Sequence, residues 1–197
     1  MGAHVAGLVL AAGEGRRMGA PKALVRDGSG TPWVVRVVRV LGRAGITDVV
    51  VVVGAAADEV RGVLLHDDVR VVHAADWDEG MGASLRAGLR HLATTTEVDA
   101  ALVCLVDTPG LNADVVRRVA ALAGPRALAR ATYDGDPGHP VLLGAGHFGG
   151  VLDTVGGDVG ARAYLAEHPP VEVECADVAT GADADTAADL PPGHRLG

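Results

Sequence analysis

An α/β fold, with a mostly parallel sheet covered by helices on both faces, is predicted by three features of this 197-residue chain. Apolar runs of strand length alternate with amphipathic helical segments, the pattern of successive βαβ units. The runs are built from Val, Leu and Ala, with only 3% aromatic residues overall, and continuous aliphatic strands suit a sheet buried on both sides. A glycine-rich loop, Gly13-Glu14-Gly15-Arg16-Arg17-Met18-Gly19-Ala20-Pro21-Lys22, follows the first apolar run directly, where open parallel sheets hold their ligands.

Residues 4–10 read as the first strand. Thr31 is placed to cap a helix with Pro32 at its first position. In that helix Trp33, Val34, Val37, Val38 and Leu41 share one face, Arg36, Arg39 and Arg43 form a solvated one, and Gly45 ends it. A buried strand over 48–53 leads to a helix from 58 to about 66 and a short strand over 69–72. Met81, Leu85 and Leu89 are the apolar stripe of a helix opened by Gly80 and Gly82. Residues 99–106 form the next strand, and Asn112 caps a helix running to about 123. Such a series implies right-handed crossovers. Beyond Gly124 short strands over 126–133 and 141–143 flank the turn Asp134-Gly135-Asp136-Pro137-Gly138. Helices over 147–154 and 159–167 precede a strand over 171–174. Without an internal repeat or a long linker, residues 1–197 read as one domain.

The formal net charge of −8 argues against a general nucleic-acid binder. No apolar run approaches the roughly 18 residues of a membrane span, and no signal segment is evident. Cys104 and Cys175 are isolated and fit neither a metal knuckle nor a disulfide framework. A cytoplasmic protein without membrane partners is expected. The charge is uneven: Arg16, Arg17, Lys22 and Arg26 crowd the loop region, whereas residues 163–194 hold seven acids and no Lys or Arg.

Lys22 is the one lysine among 17 Lys and Arg residues. A compact, mobile ammonium where arginine is otherwise used throughout points to a specific anion, and a glycine loop brings backbone N–H groups close to phosphate oxygens. Asp107-Thr108-Pro109 follows a second strand at the same end of the sheet. Asp107 is therefore placed either to hold Mg²⁺, a hard cation that shares its coordination with water and phosphate, or to cap the turn before Pro109. The loop is not a dinucleotide fingerprint, since Met18 stands where the third glycine belongs and Val53-Gly54-Ala55 offers no acid. Nor is it a P-loop, which needs Gly-Lys-Ser/Thr together.

The segment Leu10-Ala11-Ala12-Gly13-x-Gly15-x-Arg17-Met18-Gly19-x-Pro21-Lys22 resembles the signature of the sugar-phosphate and cofactor nucleotidylyltransferases. Four further segments are similar to the molybdenum cofactor cytidylyltransferase branch: 79–89, Gly138-His139-Pro140-Val141-Leu142, Gly157-Asp158-Val159-Gly160-Ala161-Arg162, and 183–190. The resemblance implies a Rossmann-like three-layer αβα fold of the nucleotide-diphospho-sugar transferase type. It implies a nucleotide-binding part over 1–124 and, over 125–197, a part binding the acceptor and supplying the second metal ligand. It implies that Leu10, Ala11, Ala12, Gly13 and Gly15 hold the nucleotide, with Arg17 and Lys22 on its phosphates and Gly82 and Ser84 toward base or ribose. Asp107 and Asp185 would bind Mg²⁺ (or Mn²⁺), with Asp183 as the substitute for Asp185. His139 would face the acceptor, or would satisfy backbone groups of its own turn, while Trp77 and Met81 pack.

The implied reaction is CMP transfer from CTP to the phosphate of molybdopterin, with release of pyrophosphate and a client molybdoenzyme downstream. The Leu-Ala-Ala-Gly form, rather than Leu-Ala-Gly-Gly, resembles members that use CTP instead of GTP. The sequence departs from the family at Thr108, where glutamine is usual, and at Ala23, where leucine is usual. These departures leave open another phosphorylated acceptor, such as a sugar phosphate or cofactor precursor. A non-catalytic chaperone for the molybdenum cofactor is the remaining alternative.

Overall fold

The computed structural model describes residues 2–95, 97–157 and 160–197. In chain order the elements are β1 (Val5–Ala11), α1 (Trp33–Arg43), β2 (Val49–Val53), α2 (Ala57–Val63), β3 (Arg70–His73), α3 (Met81–Thr95) and β4 (Ala100–Leu105). They continue with α4 (Ala113–Ala120), β5 (Leu128–Tyr133), β6 (Asp136–Gly144), α5 (Phe148–Thr154), α6 (Arg162–Glu167) and β7 (Val171–Glu174). The seven-stranded sheet has the order β3-β2-β1-β4-β6-β5-β7. Among the strands of the described residues, only β6 runs against its neighbours; the other strand pairings are parallel.

Side chains alternate across the strands, so each strand feeds two cores. Val9, Val51, Leu102 and Leu142 pack under α1, α2 and α4, while Leu8, Val52, Val103 and Leu143 pack under α3, α5 and α6. The predicted three layers are therefore present. Among the described residues, no helix is long and apolar enough to cross a membrane. Cys104 and Cys175 are free and buried, and burial pushes the Cys104 thiol up to about 12.

Several boundaries differ from the expectations. Pro32, not Thr31, occupies the cap position of α1, and no side chain caps it. Asp27 holds this region instead, accepting from the N–H groups of Ser29 and Thr31 at 2.9 and 3.0 Å. Arg36 is not on a solvated face. Its Nη2 donates to the carbonyls of Pro109 and Leu111, which clamps the loop after β4. The turn expected over 134–138 is only two residues long. Asp134 and Gly135 take φ of 53° and 85° in succession, the geometry that reverses a hairpin at once. Residues 136–140 consequently extend β6, and a register shift between Arg130 and Thr132 accommodates its prolines. Asn112 caps α4 as expected, accepting from Asp114 and Val115 N–H. The expected start of a helix at Val159 lies outside the described residues.

Past β7 the chain returns across the molecule. Ala184 joins Met18, Val25 and Trp33 in a small buried cluster, and its N–H donates to the Asp107 carbonyl at 2.9 Å. Arg195 and Arg26 exchange backbone hydrogen bonds of 2.9 and 2.8 Å, and Trp33 Nε1 donates to His194 Nδ1 at 3.0 Å. This segment is thereby laid against the glycine-rich loop.

Glu174 ties the β5–β6 hairpin to β7. It accepts from Ala176 N–H at 2.8 Å, Gly135 N–H at 3.2 Å, Thr132 Oγ1 at 3.0 Å and Asp134 N–H at 3.1 Å. These bonds, that from Ala176 foremost, hold its carboxyl down at about 2 from 4.5. A depressed folded-state value stabilises the fold above the unfolded value, and that stabilisation disappears as pH falls through the folded one. Glu174→Gln should therefore flatten the loss of stability between pH 4.5 and 2, as read from urea midpoints at each pH.

Candidate active site

The strand order reverses between β1 and β4, which lie side by side with Leu10 opposite Leu105. Connections leave in opposite directions there, opening a crevice beyond the carboxyl ends of the strands. A cleft of about 480 Å³ occupies it, walled by the loop residues Ala12 to Arg17, Lys22, Asp107 and Asp185.

The loop's shape follows from its glycines. Gly15 has φ of 68°, and a Cβ there would overlap the Ala20 carbonyl, so the hairpin folds back only with glycine at this position. Met18 is buried and anchors the hairpin. Lys22 is delivered to the cleft floor by a short 3₁₀ turn over Lys22–Leu24. Its Nζ donates to Asp107 Oδ2 at 2.7 Å and to Asp185 Oδ1 at 2.5 Å. Burial alone would lower the Lys22 pKa, but the hydrogen bonds to Asp107 and Asp185 outweigh it and leave it raised. The same bond from Lys22 holds Asp185 below its ordinary value. Arg17 Nη1 reaches Asp185 Oδ2 at 3.3 Å from an exposed position.

The other loop cations have structural partners. Arg16 pairs with Glu14, and Arg26 Nη1 donates to the Gly30 carbonyl at 2.8 Å. The second carboxylate is set by the docked segment: with Ala184 buried, Asp185 faces the cleft, while Asp183 lines an adjoining cavity and another one between the docked segment and the Asp27 loop. Burial, together with the charges of Asp107 and Asp185, raises Asp183 to about 6.

Leu10, Ala12, Gly13 and Gly15 line the cleft, whereas the Ala11 methyl joins the core on the opposite sheet face. Ser84 also lines it, with Gly80 and Met81. Gly82 faces the 156–157 backbone, where a Cβ would come within 2.8 Å of Gly156 and Gly157. Trp77, expected only to pack, also walls the cleft beside Asp78. Nothing in the sequence pattern distinguishes a wall tryptophan from a packing one. Thr108 turns inward, buried, with Oγ1 donating to the Leu105 carbonyl at 3.0 Å. His139 lines a second cavity, and burial pushes its imidazole down to about 4.

The donors present fit a hard divalent cation. Asp107 Oδ1 is buried without a hydrogen-bond partner, and a carboxylate oxygen left bare in this way is what such an ion would satisfy. Among the described residues no group of three or more His, Cys, Asp or Glu side chains forms a complete cage.

A crevice at the sheet's switch point, a glycine hairpin and a lysine between two aspartates define a nucleotide-handling transferase of the α/β class. Comparison with known proteins carries this further. Residues 7–173 match the family described as "MobA-like NTP transferase domain", and the chain belongs to that family of nucleotidyltransferases. A Paenarthrobacter nicotinovorans protein named "Nicotine blue oxidoreductase" is 36% identical, covering 94% of both chains. A Mycobacterium ulcerans protein named "Probable molybdenum cofactor guanylyltransferase" is 30% identical, covering 96% of this chain and 95% of the other. A nucleotidyl transferase from Methanothermobacter thermautotroptrophicus shares the fold with a TM-score of 0.77 at 24% identity, covering 94% and 93% of the two chains. Rv0371C from Mycobacterium tuberculosis, solved in complex with manganese, superposes with a TM-score of 0.68 at 26% identity, covering 92% and 94%.

Because the Lys22 ammonium separates Asp107 from Asp185, Lys22→Met should leave two facing carboxylates unneutralised. The expected cost is on the order of 1 kcal/mol after allowance for solvent screening, or about 2–4 °C in Tm for a chain of this size. Differential scanning calorimetry should show that loss, and millimolar Mg²⁺ should restore more stability to the variant than to the wild type.

Proposed function

We propose that the protein transfers CMP from CTP to the terminal phosphate of molybdopterin carrying its metal, releasing pyrophosphate. The observation carrying this reading is the convergence of Lys22, Asp107 and Asp185 within hydrogen-bond distance at the mouth of the glycine hairpin. In this reading residues 1–124 grip the nucleotide, and 125–197 supply the acceptor side and the second carboxylate.

An oxygen of the acceptor's phosphate attacks the α-phosphorus, and the bond to the β-phosphate oxygen breaks with its electron pair leaving on pyrophosphate. A phosphate monoester is already an anionic nucleophile, so no activating serine or histidine is required. The neutral ring of His139 is consistent with a positioning role on the acceptor side. Amides of the 12–15 segment and the Arg17 guanidinium orient the triphosphate, and Lys22 exchanges a carboxylate for a phosphate oxygen as charge develops. Asp107 and Asp185 would hold Mg²⁺ or Mn²⁺, which when bound neutralises phosphate charge. The manganese complex of a relative that is 26% identical supports a divalent ion. Ala12, which lines the cleft, supports CTP, since alanine there carries a methyl that glycine would lack; the guanylyltransferase name of the Mycobacterium ulcerans relative makes GTP the competitor.

A second reading, redox chemistry on a pigment, is favoured by the 36% identity to the nicotine blue oxidoreductase. It would give redox turnover of nicotine blue with an added electron donor or acceptor and no pyrophosphate.

With purified molybdenum cofactor and four nucleoside triphosphates, pyrophosphate release should be fastest with CTP. A faster rate with GTP would reassign the base, and no release with any of them would remove the transferase reading. Asp107→Asn should lower Mg²⁺-dependent release by about 10²-fold or more with an unchanged circular dichroism spectrum. Unaltered metal dependence would remove Asp107 as a ligand.

A further inference from the structure

A second cavity, of about 620 Å³, adjoins the nucleotide cleft and shares Leu10 and Met81 with it. Its floor is the sheet itself: Leu10, Val103, Val141 and Leu143 come from β1, β4 and β6 and are all buried. A sheet face is broad, and this one is aliphatic. It offers little to the many hydroxyls of a sugar, and it suits the face of a planar fused ring.

Polar groups sit at the cavity's far side. Arg130 of β5 lies directly beside Glu172 of β7, and its Nη2 donates to Glu172 Oε1 at 2.7 Å. This fixes the guanidinium, yet Arg130 Nε is buried with no partner. Both residues line the cavity. An orphaned buried donor costs free energy unless something satisfies it. The pair thus presents one fixed N–H donor next to carboxylate oxygens that can accept further bonds, a donor–acceptor edge already assembled before a ligand arrives.

We infer that Arg130 and Glu172 are specificity-determining residues for the acceptor, reading the 2-amino-4-oxo edge of a fused pyrimidinone ring. Arg130 Nε donates to the ring's exocyclic oxygen. Glu172 accepts from the ring N–H and the 2-amino group. The ring lies on the aliphatic floor, with its substituent carrying the phosphate past Met81 toward Lys22. This inference rests on the molybdopterin reading above and goes beyond it by assigning the residues that select the ring.

The test uses the full chain with two fluorescent probes: a pterin bearing a side-chain phosphate, and the matching lumazine, in which a carbonyl replaces the 2-amino group. Fluorescence titration in Mg²⁺ should show wild type binding the pterin about ten-fold or more tighter than the lumazine, because a site built to accept a hydrogen bond rejects the analogue that lacks it. Glu172→Gln should bring that ratio close to one. Arg130→Lys, which keeps the charge but loses the Nε–H, should weaken both probes about ten-fold. CTP affinity and Tm should stay at wild-type values in both variants, which separates ring recognition from a merely structural role. Wild-type affinities and ratio in both variants would overturn the inference and leave the transferase reading intact. Failure of the wild type to bind either probe would overturn the pterin acceptor together with it.

Discussion

One ammonium group, on Lys22, lies between carboxylates that reach it from Asp107 and from Asp185, and the rest of the site is arranged around that contact. Two aspartates this close would repel one another, and a compact cation with three rotatable donors can serve both at once, where a planar guanidinium would impose its own fork. Each participant is positioned by a different device. Lys22 depends on a hairpin that only glycine permits at position 15. Asp107 depends on β4 lying beside β1 and on the Arg36 clamp behind its loop. Asp185 depends on Ala184 being buried against Met18 and Trp33.

Periodicity made most of the fold legible. The aliphatic strands, the Asn112 cap and the stripe of α3 are local patterns, and each appears where its pattern lies. The misplacements share a physical origin. Arg36 looks solvated on a helical wheel, but its partners are carbonyls 73 and 75 residues away, which no local pattern encodes. Asp134-Gly135-Asp136-Pro137-Gly138 contains turn chemistry throughout, and the first dipeptide completes the reversal, so the remainder becomes strand. Thr108 stands where the family usually has glutamine, and its hydroxyl is spent on the Leu105 carbonyl, a partner that the departure itself does not reveal.

Within the site the loop, Lys22 and Asp107 were legible because they follow strands at one end of a parallel sheet. The proximity of Asp185 was legible only through family resemblance. Its acid-rich surroundings resemble a solvated tail, and the signal that docks it, the buried alanine between two aspartates, is a single small side chain. The wall residues Trp77 and Asp78 carried no signal of their own. The uneven charge along the sequence does have a structural meaning: cationic hairpin and acidic return segment meet across one cleft, so a chain of net charge −8 still presents a local cation to an anion.

The separation of 163 residues between Lys22 and Asp185 also sets a clock. At the roughly 5–20 residues per second of ribosomal synthesis, the hairpin is polymerised about ten to thirty seconds before its distant aspartate exists. A nascent chain in that interval can shape the glycine hairpin but cannot assemble the carboxylate pair. The half of the molecule made first is therefore an unfinished vise whose closing jaw is translated 163 residues later.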